Sequence, residues 1–126
     1  MWTYNQEIEP PGPFLDIIIR HPRSPAKFQS VPAKLDTGAD VSAIPQRIAD
    51  ELELLPTRTI LIEGYDGSQT IIETYTVTIE AATARFLQVE VILIPDESAL
   101  LGRDLLNFFY IQLNGPALTF DLRLAP

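Results

Sequence analysis

Between Thr57 and Leu93 the apolar residues recur at every second position, the spacing expected of β-strands with one buried face. The alternating apolar residues are Ile60, Ile62, Tyr75, Val77, Ile79, Leu87, Val89, Val91 and Leu93. Polar residues such as Thr76, Thr78, Gln88 and Glu90 fill most of the positions between them, and Leu61 lies between Ile60 and Ile62. A short turn at Ala81–Ala84 separates two of these strands, and a Gly-containing tip at Gly64–Ser68 separates two others. This pattern predicts a mainly β domain.

The rest of the chain fits the same architecture. Residues 1–13 end in Pro10-Pro11-Gly12-Pro13 and read as an extended arm outside the core, which leaves 14–126 as one domain. Further strands are predicted at 14–20, 28–35, 100–101, 110–113 and 118–124, and short helices at 45–53 and 103–109. Many short strands with two brief helices predict a barrel-like or sandwich fold.

Composition excludes several function classes. Asp and Glu outnumber Lys and Arg by 17 to 9, giving a net charge of −8. Nucleic acids and anionic membrane surfaces require basic patches, so neither partner is expected. The chain has no Cys, which removes disulfides, thiol nucleophiles and thiolate metal sites. The N-terminus lacks the pattern of a signal peptide and no apolar run reaches membrane-spanning length, so a soluble, cytoplasmic protein is expected.

An acidic tripeptide marks the end of the second predicted strand. The stretch Val31–Leu35 is followed directly by Asp36-Thr37-Gly38. The Asp36 carboxylate is therefore expected on a loop at the end of the strand, where Gly38 allows close approach of another backbone segment. Such a tripeptide by itself is also an ordinary turn, in which Asp36 accepts a hydrogen bond from its own backbone. Its context carries more information: Leu100-Leu101-Gly102-Arg103-Asp104 lies downstream, and the hairpin tip lies between the two motifs.

These motifs, in this order, resemble the retropepsin-like aspartic proteases, the single-domain relatives of the retroviral proteases. The resemblance spans residues 14–122 and implies a closed β-barrel with a flap hairpin. It also implies an aspartic endopeptidase without metal or cofactor, in which Asp36 supplies one catalytic carboxylate. Because the chain holds one Asp-Thr-Gly, the second carboxylate would come from a second copy in a homodimer.

The resemblance also assigns residue roles. Thr37 would link the two active-site loops, and the backbone N–H of Gly38 would point at the carboxylates. Ala39, Asp40 and the flap residues Gly64, Tyr65, Asp66 and Gly67 would contact a peptide substrate. Leu100, Leu101, Gly102 and Arg103 would support the site, with an ion pair between Arg103 and Asp40. Asp104 is expected to border the second helix in a structural role, and 118–124 could enter a dimer sheet.

Other readings of the residues stay open. A retropepsin-type fold could serve as a dimerisation or peptide-binding module with little turnover. A two-carboxylate hydrolase of the glycosidase type would use residues such as Glu63, Asp66, Asp96 or Glu97, although no spacing singles out a pair. His21 is the single histidine, so a metal site or a Ser-His dyad is not expected.

Overall fold

The computed structural model describes residues 1–125. The strands are β1 Trp2–Thr3, β2 Phe14–Arg20, β3 Phe28–Leu35, β4 Ala43–Pro45, β5 Pro56–Glu63, β6 Gln69–Ala81, β7 Ala84–Ile94, β8 Ala99–Leu101, β9 Phe109–Asn114 and β10 Thr119–Leu124. The helices are α1 Gln46–Glu51 and α2 Arg103–Leu106. The predicted mainly β class is confirmed, with two short helices in the described part of the chain.

Six strands close into a barrel. The larger sheet has the order β2-β3-β8-β4-β7-β6-β5, and a further pairing of the end strand β2 with β6 closes the ring. β5 remains outside this ring because it pairs with β6 alone. The β5–β6 hairpin therefore projects from a closed barrel, and the predicted closed β-barrel with a flap hairpin is confirmed.

The two strands predicted at 14–20 and 28–35 each bury alternate residues in the core. In β2, Leu15, Ile17 and Ile19 point inward, and in β3, Val31 and Ala33 do the same. β2 and β3 pair antiparallel with Ile17 opposite Val31. Burial of these branched side chains is the main favourable term for the sheet, at about 1.5–3 kcal/mol for each large side chain.

The helix predicted at 45–53 is shorter than expected. α1 begins at Gln46 with Pro45 at its N-cap, and Leu52 closes it. Proline suits that position because it lacks the N–H that a helix start leaves unpaired. Ile48 and Leu52 are buried on the face predicted from their spacing. Neither described helix has the length and apolar character that crossing a bilayer requires.

The first residues of the N-terminal arm pack against the core, although the sequence predicted an arm outside it. Trp2 and Thr3 pair antiparallel with Phe120 and Thr119 of β10. The ring of Trp2 stacks on that of Phe120 at 5.6 Å between centroids, and Phe120 is 1% exposed. The contact of β1 with β10 was not predictable, because a proline-rich composition indicates an extended chain but not the strand with which that chain pairs.

The alternation predicted for β7 is wrong at Leu87. Val77 of β6 pairs with Val89, but Ile79 pairs with Phe86, so β7 holds one extra residue in this interval. Gln88 adopts a φ of 54°, and Leu87 is 69% exposed. This β-bulge moves Phe86 toward the interior and turns Leu87 outward.

Candidate active site

Asp36 stands on a loop, here called the active loop (Asp36–Ser42), that begins where β3 ends. β3 runs parallel to β8, with Leu35 opposite Leu101. The Asp36 N–H donates to the Leu101 carbonyl at 2.9 Å, and the Ala39 N–H donates to the Asp36 carbonyl at 3.1 Å. The backbone on both sides of the carboxylate is therefore fixed by the barrel, and the side chain stays half-buried.

The Asp36 carboxylate accepts a hydrogen bond from the Gly38 N–H at 3.0 Å. A Cβ at position 38 would lie 3.2 Å from the same carboxylate oxygen, which explains why glycine suits this turn. The same hydrogen bond occurs in an ordinary Asx turn and in a catalytic loop, so it does not distinguish a structural role of Asp36 from a catalytic one. Thr37 and Gly38 are exposed in the single chain, while Ala39 is half-buried.

Gly102 lies directly against the active loop and must be glycine. A Cβ there would stand 2.9 Å from the Ala39 carbonyl oxygen and 2.9 Å from the Val41 carbonyl carbon. These are backbone atoms and cannot rotate away. The next residue, Arg103, donates its N–H to the Ala39 carbonyl at 2.8 Å. Leu101, which directly precedes Gly102 in the chain, is 1% exposed, and Leu100 precedes it in β8.

Arg103 holds the active loop through its side chain as well. Its Nη1 donates to the Thr37 carbonyl at 2.6 Å, and its Nη2 contacts a carboxylate oxygen of Asp40. The ion pair expected between Asp40 and Arg103 is therefore present. The side chains of Arg103 and Asp40 are 46% and 78% exposed in the single chain, so solvent screens the pair and its main contribution is to the geometry of the loop.

Ser42, which no sequence motif singled out, links the two motifs inside the protein. Its Oγ donates to Asp104 Oδ1 at 2.7 Å and accepts the Gly102 N–H at 3.0 Å. Its own N–H donates to Asp104 Oδ2 at 3.0 Å. Ser42 is 1% exposed, so these bonds replace those that water would make. The available signal was a hydroxyl residue inside the apolar run Val41–Pro45.

The expected structural role of Asp104 takes a specific form. Besides the two bonds from Ser42, its Oδ1 accepts the Leu105 N–H at 3.0 Å. The carboxylate thus joins the first turn of α2, where negative charge is favoured, to the end of the active loop. We refer to the active loop, Gly102, Arg103 and Asp104 together as the floor.

The flap tip, Gly64–Ser68, is held by its own residues. The Gly64 N–H donates to the Ser68 carbonyl at 2.8 Å, and the Ser68 N–H donates to Asp66 Oδ1 at 2.9 Å. Hydrogen bonds from the side chain and backbone of Ser68 hold the pKa of Asp66 below its ordinary value. Gly67 has a φ of 79°, a region that disfavours side chains.

The structure brings the predicted floor residues together and leaves the flap residues apart from them. Tyr65 is fully exposed, so in the single chain it covers no part of the Asp36 carboxylate. Gly64, Asp66 and Gly67 are likewise exposed. The substrate contacts assigned to Ala39, Asp40 and the flap therefore remain predictions.

Solved structures share this fold. A retropepsin-like aspartic protease from Rickettsia conorii aligns over 98% of this chain and 89% of its own, with 19% identity and a TM-score of 0.62. The simian foamy virus (mac) protease aligns over 76% of this chain and 93% of its own, with 20% identity and a TM-score of 0.57. EIAV protease, solved with the inhibitor HBY-793, has 25% identity over 83% of this chain and 91% of its own, with a TM-score of 0.53. No curated protein sequence is significantly similar to this chain.

A family profile gives the matching result at the sequence level. The profile described as "gag-polyprotein putative aspartyl protease" matches residues 27–107. This range covers β3, the active loop, the flap and the Gly102 turn, and it exceeds half of the chain. The resemblance read from the motifs is confirmed, and the chain belongs to the gag-polyprotein aspartyl protease family, with a retropepsin-like fold.

Proposed function

We propose that this protein is a homodimeric aspartic endopeptidase in which Asp36 of each subunit supplies one carboxylate of the catalytic pair. The observation that carries the proposal is the floor: Asp36 follows a barrel strand, on a loop fixed by Gly102, Arg103 and the Ser42–Asp104 bonds. Catalysis by positioned carboxylates needs such a fixed loop, because small displacements lose the reactive geometry.

The proposed chemistry requires two carboxylates at short separation. Two such groups cannot both ionise, so they share one proton, as is established for aspartic proteases generally. The protonated carboxyl donates to the oxygen of the peptide carbonyl. The ionised carboxylate accepts a proton from a water held between them, and that water attacks the carbonyl carbon.

A twofold axis supplies the second carboxylate without a second motif in the sequence. At such an axis the same residue of both subunits meets itself. Thr37 and Gly38 are exposed in the single chain, as expected if a second active loop covers them. In the proposed dimer Thr37 binds across the axis, and the Gly38 N–H supports the carboxylates.

The smaller sheet is the proposed site of dimer contact. Its order is β1-β10-β9, so β10 has strands of its own chain on both sides. A partner strand therefore joins at the free edge of β9 or β1, or packs on a face, instead of pairing with residues 118–124 directly. Tyr110 and Leu113 of β9 are 61% and 54% exposed and are available to such a partner.

Substrate would lie extended between the floor and the flap, contacting Ala39 and Asp40 below and Gly64–Gly67 above. The exposed flap tip is consistent with a segment that closes when peptide binds, since lids are drawn from weakly held regions. Peptide or protein is the expected partner; the cytoplasmic location stays a prediction.

The test is cleavage of unfolded casein at acidic pH by the purified protein and by Asp36→Asn. We expect activity to fall by roughly 10³-fold or more, because the acid–base chemistry is removed. Asp16→Asn is the matched control, since Asp16 is an exposed carboxylate on β2. Equal cleavage by Asp36→Asn and the parent protein would overturn the assignment.

Mixing separates a shared site from one contained in a single chain. At fixed total protein, an equal mixture of parent and Asp36→Asn should retain about one quarter of the activity if subunits exchange freely into dimers. A site within one chain would retain one half. Sedimentation over a concentration range reports the dimer directly, and dimers without cleavage would favour the peptide-binding module.

A further inference from the structure

A cavity of about 510 Å³ lies beside the turn that joins β2 to β3, and it is here called the turn cavity. His21 and Arg23 of that turn line it, together with Leu54 and Leu55, which follow α1. The eight residues of β3 separate this turn from Asp36, so the turn cavity lies about 25 Å from the active loop along that strand. Within residues 1–125 it shares no lining residue with the floor or the flap tip. A volume of this size is typical of ligand sites in proteins.

Two β-bulges place polar side chains at the turn cavity. In β5 the register shifts between Pro56 and Arg58, so Thr57 is left without a pairing partner in β6. The bulge in β7 includes Gln88, whose φ of 54° is unfavourable for a residue with a side chain. Thr57 and Gln88 both line the turn cavity, and β6 contributes Thr76. Bulges and strained backbone concentrate at functional sites, where they redirect side chains, and here two of them meet at one cavity.

The walls of the turn cavity carry positive charge. Neither Asp nor Glu lines it in the part of the chain that the structure describes, although acidic residues outnumber basic ones by 17 to 9 in the whole sequence. Arg23 is exposed, and its guanidinium forms no ion pair with any described residue. A guanidinium binds carboxylate oxygens through two parallel N–H groups. The turn cavity therefore favours an anionic ligand.

The neutral polar groups of the cavity also offer hydrogen-bond donors. The Nδ1 atom of His21 accepts the backbone N–H groups of Arg23 and Ser24, each at 3.1 Å. A nitrogen that accepts carries no hydrogen, so the ring hydrogen is on Nε2, which can only donate. The hydroxyl oxygens of Thr57 and Thr76 lie 2.7 Å apart. One hydrogen serves that bond, and the hydrogen of the other hydroxyl is available to a ligand. These groups suit the same anion that Arg23 favours.

The remaining walls of the turn cavity are apolar. Leu54 is half-buried and packs against the core, whereas Leu55 is 72% exposed. Pro22 and Pro56 also line the cavity. Covering an exposed leucine is favourable, because it removes apolar surface from water. The ligand that matches both kinds of wall is an anion joined to an apolar group.

We propose that the turn cavity is a binding site for an organic carboxylate that carries an apolar group. The carboxylate binds Arg23 and the Nε2–H of His21, and the apolar group packs on Leu54 and Leu55. The site goes beyond the proposed protease function and does not depend on it, because none of its residues belongs to the floor.

The test is an NMR titration of the isotope-labelled protein with hydrocinnamate, a carboxylate joined to a phenyl group. Hydrocinnamamide has the same shape without the charge, and acetate has the charge without the apolar group. With hydrocinnamate, we expect the backbone amide signals of Leu55, Thr57 and Gln88 to move along a saturable curve. Hydrocinnamamide should bind about tenfold more weakly or less, because it loses the charged hydrogen bonds. Acetate should be weaker by a similar factor, because it buries little apolar surface.

Two variants assign the contacts, and a third is the matched control. Arg23→Gln removes the guanidinium but keeps the backbone N–H that binds His21, so the turn should stay folded. It should weaken hydrocinnamate binding by about tenfold or more and leave hydrocinnamamide binding unchanged. Leu55→Ser should lower the affinity for hydrocinnamate toward that for acetate. The control is Arg123→Gln, because Arg123 is an exposed arginine on β10 that does not line the turn cavity; this variant should bind hydrocinnamate as the parent does.

Several results would overturn the proposal. One is the absence of a saturable shift with hydrocinnamate, or shifts confined to other parts of the chain. Another is equal affinity of the parent for hydrocinnamate and for either comparison compound. Equal weakening by Arg23→Gln and Arg123→Gln would show that net charge, and not the turn cavity, attracts the anion. Because the measurement is binding, its outcome is separate from whether the protein cleaves casein.

Discussion

The floor and the flap meet the same proposed substrate but are stabilised in opposite ways. The floor is held by hydrogen bonds between residues distant in sequence. Ser42 and Asp104 are 62 positions apart, and Arg103 and the Thr37 carbonyl to which it donates are 66 positions apart. The flap tip is held by bonds between residues 64 and 68. Ser42 is 1% exposed, whereas Tyr65 is fully exposed.

This contrast explains which changes each region tolerates. Substitution of a floor residue leaves buried hydrogen-bonding partners unsatisfied, so it should lower the free energy of unfolding of the whole barrel. Substitution of a flap residue affects an exposed hairpin, so any loss of stability should be confined to that hairpin. Substitutions in the floor should therefore lower stability and activity together, and those in the flap should alter activity alone.

The largest effect is expected for Gly102→Ala. The added methyl group would meet backbone atoms of Ala39 and Val41 at 2.9 Å, and overpacking against backbone should cost about 3 kcal/mol or more of unfolding free energy. Urea unfolding measures the loss. Gly115→Ala is the matched control, because a Cβ there meets no atom within 4 Å; its change should stay below about 1 kcal/mol. Equal losses in the two variants would refute the close contact.

A second pair of variants compares one serine from each region. Ser42→Ala removes a buried hydroxyl and leaves the Gly102 N–H and Asp104 Oδ1 without that partner, so it should cost about 1–3 kcal/mol. Ser68→Ala removes an exposed hydroxyl from the flap tip and should change unfolding free energy by less than about 0.5 kcal/mol. Urea midpoints of the two variants report the difference. Similar midpoints would show that Ser42 in the floor and Ser68 in the flap contribute equally to stability, contrary to the contrast drawn between the two regions.

The floor was also the region that sequence could predict. Asp36-Thr37-Gly38 and Gly102-Arg103, in that order, gave the resemblance to the retropepsin-like proteases, and that resemblance implied the Asp40–Arg103 pair that the structure contains. The hairpin at Gly64–Ser68 was predictable from alternation and turn residues alone. Its contact with substrate was not, because an exposed tip has no partner in the single chain.

What sequence could not predict depended on partners from distant segments. The packing of Trp2 on Phe120 and the burial of Ser42 appear only when strands far apart in the chain are in register. The bulge at Leu87–Gln88 breaks an apparently regular alternation, and its positive φ falls on glutamine instead of glycine. Nothing in the local residues marks that position.

The smallest expected effect tests whether the flap tip is stabilised locally. The pKa of Asp66 lies below its ordinary 3.8 because Ser68 donates hydrogen bonds to the carboxylate, first from its side chain and then from its backbone. A carboxylate with a lowered pKa stabilises the tip above pH 3.8, and this contribution is lost as the pH falls through the lowered pKa. In Ser68→Ala, NMR titration of the Asp66 carboxyl carbon should move upward, toward 3.8, because the side-chain donor is gone. The titration of Glu80, whose pKa is held below 4.5 by Arg20 on the barrel, should not change. A shift at Glu80 would mean that the tip is coupled to the barrel, and no shift at Asp66 would mean that the Ser68 hydroxyl does not donate to it. The predicted result would mean that the tip is held by its own residues, independently of the floor.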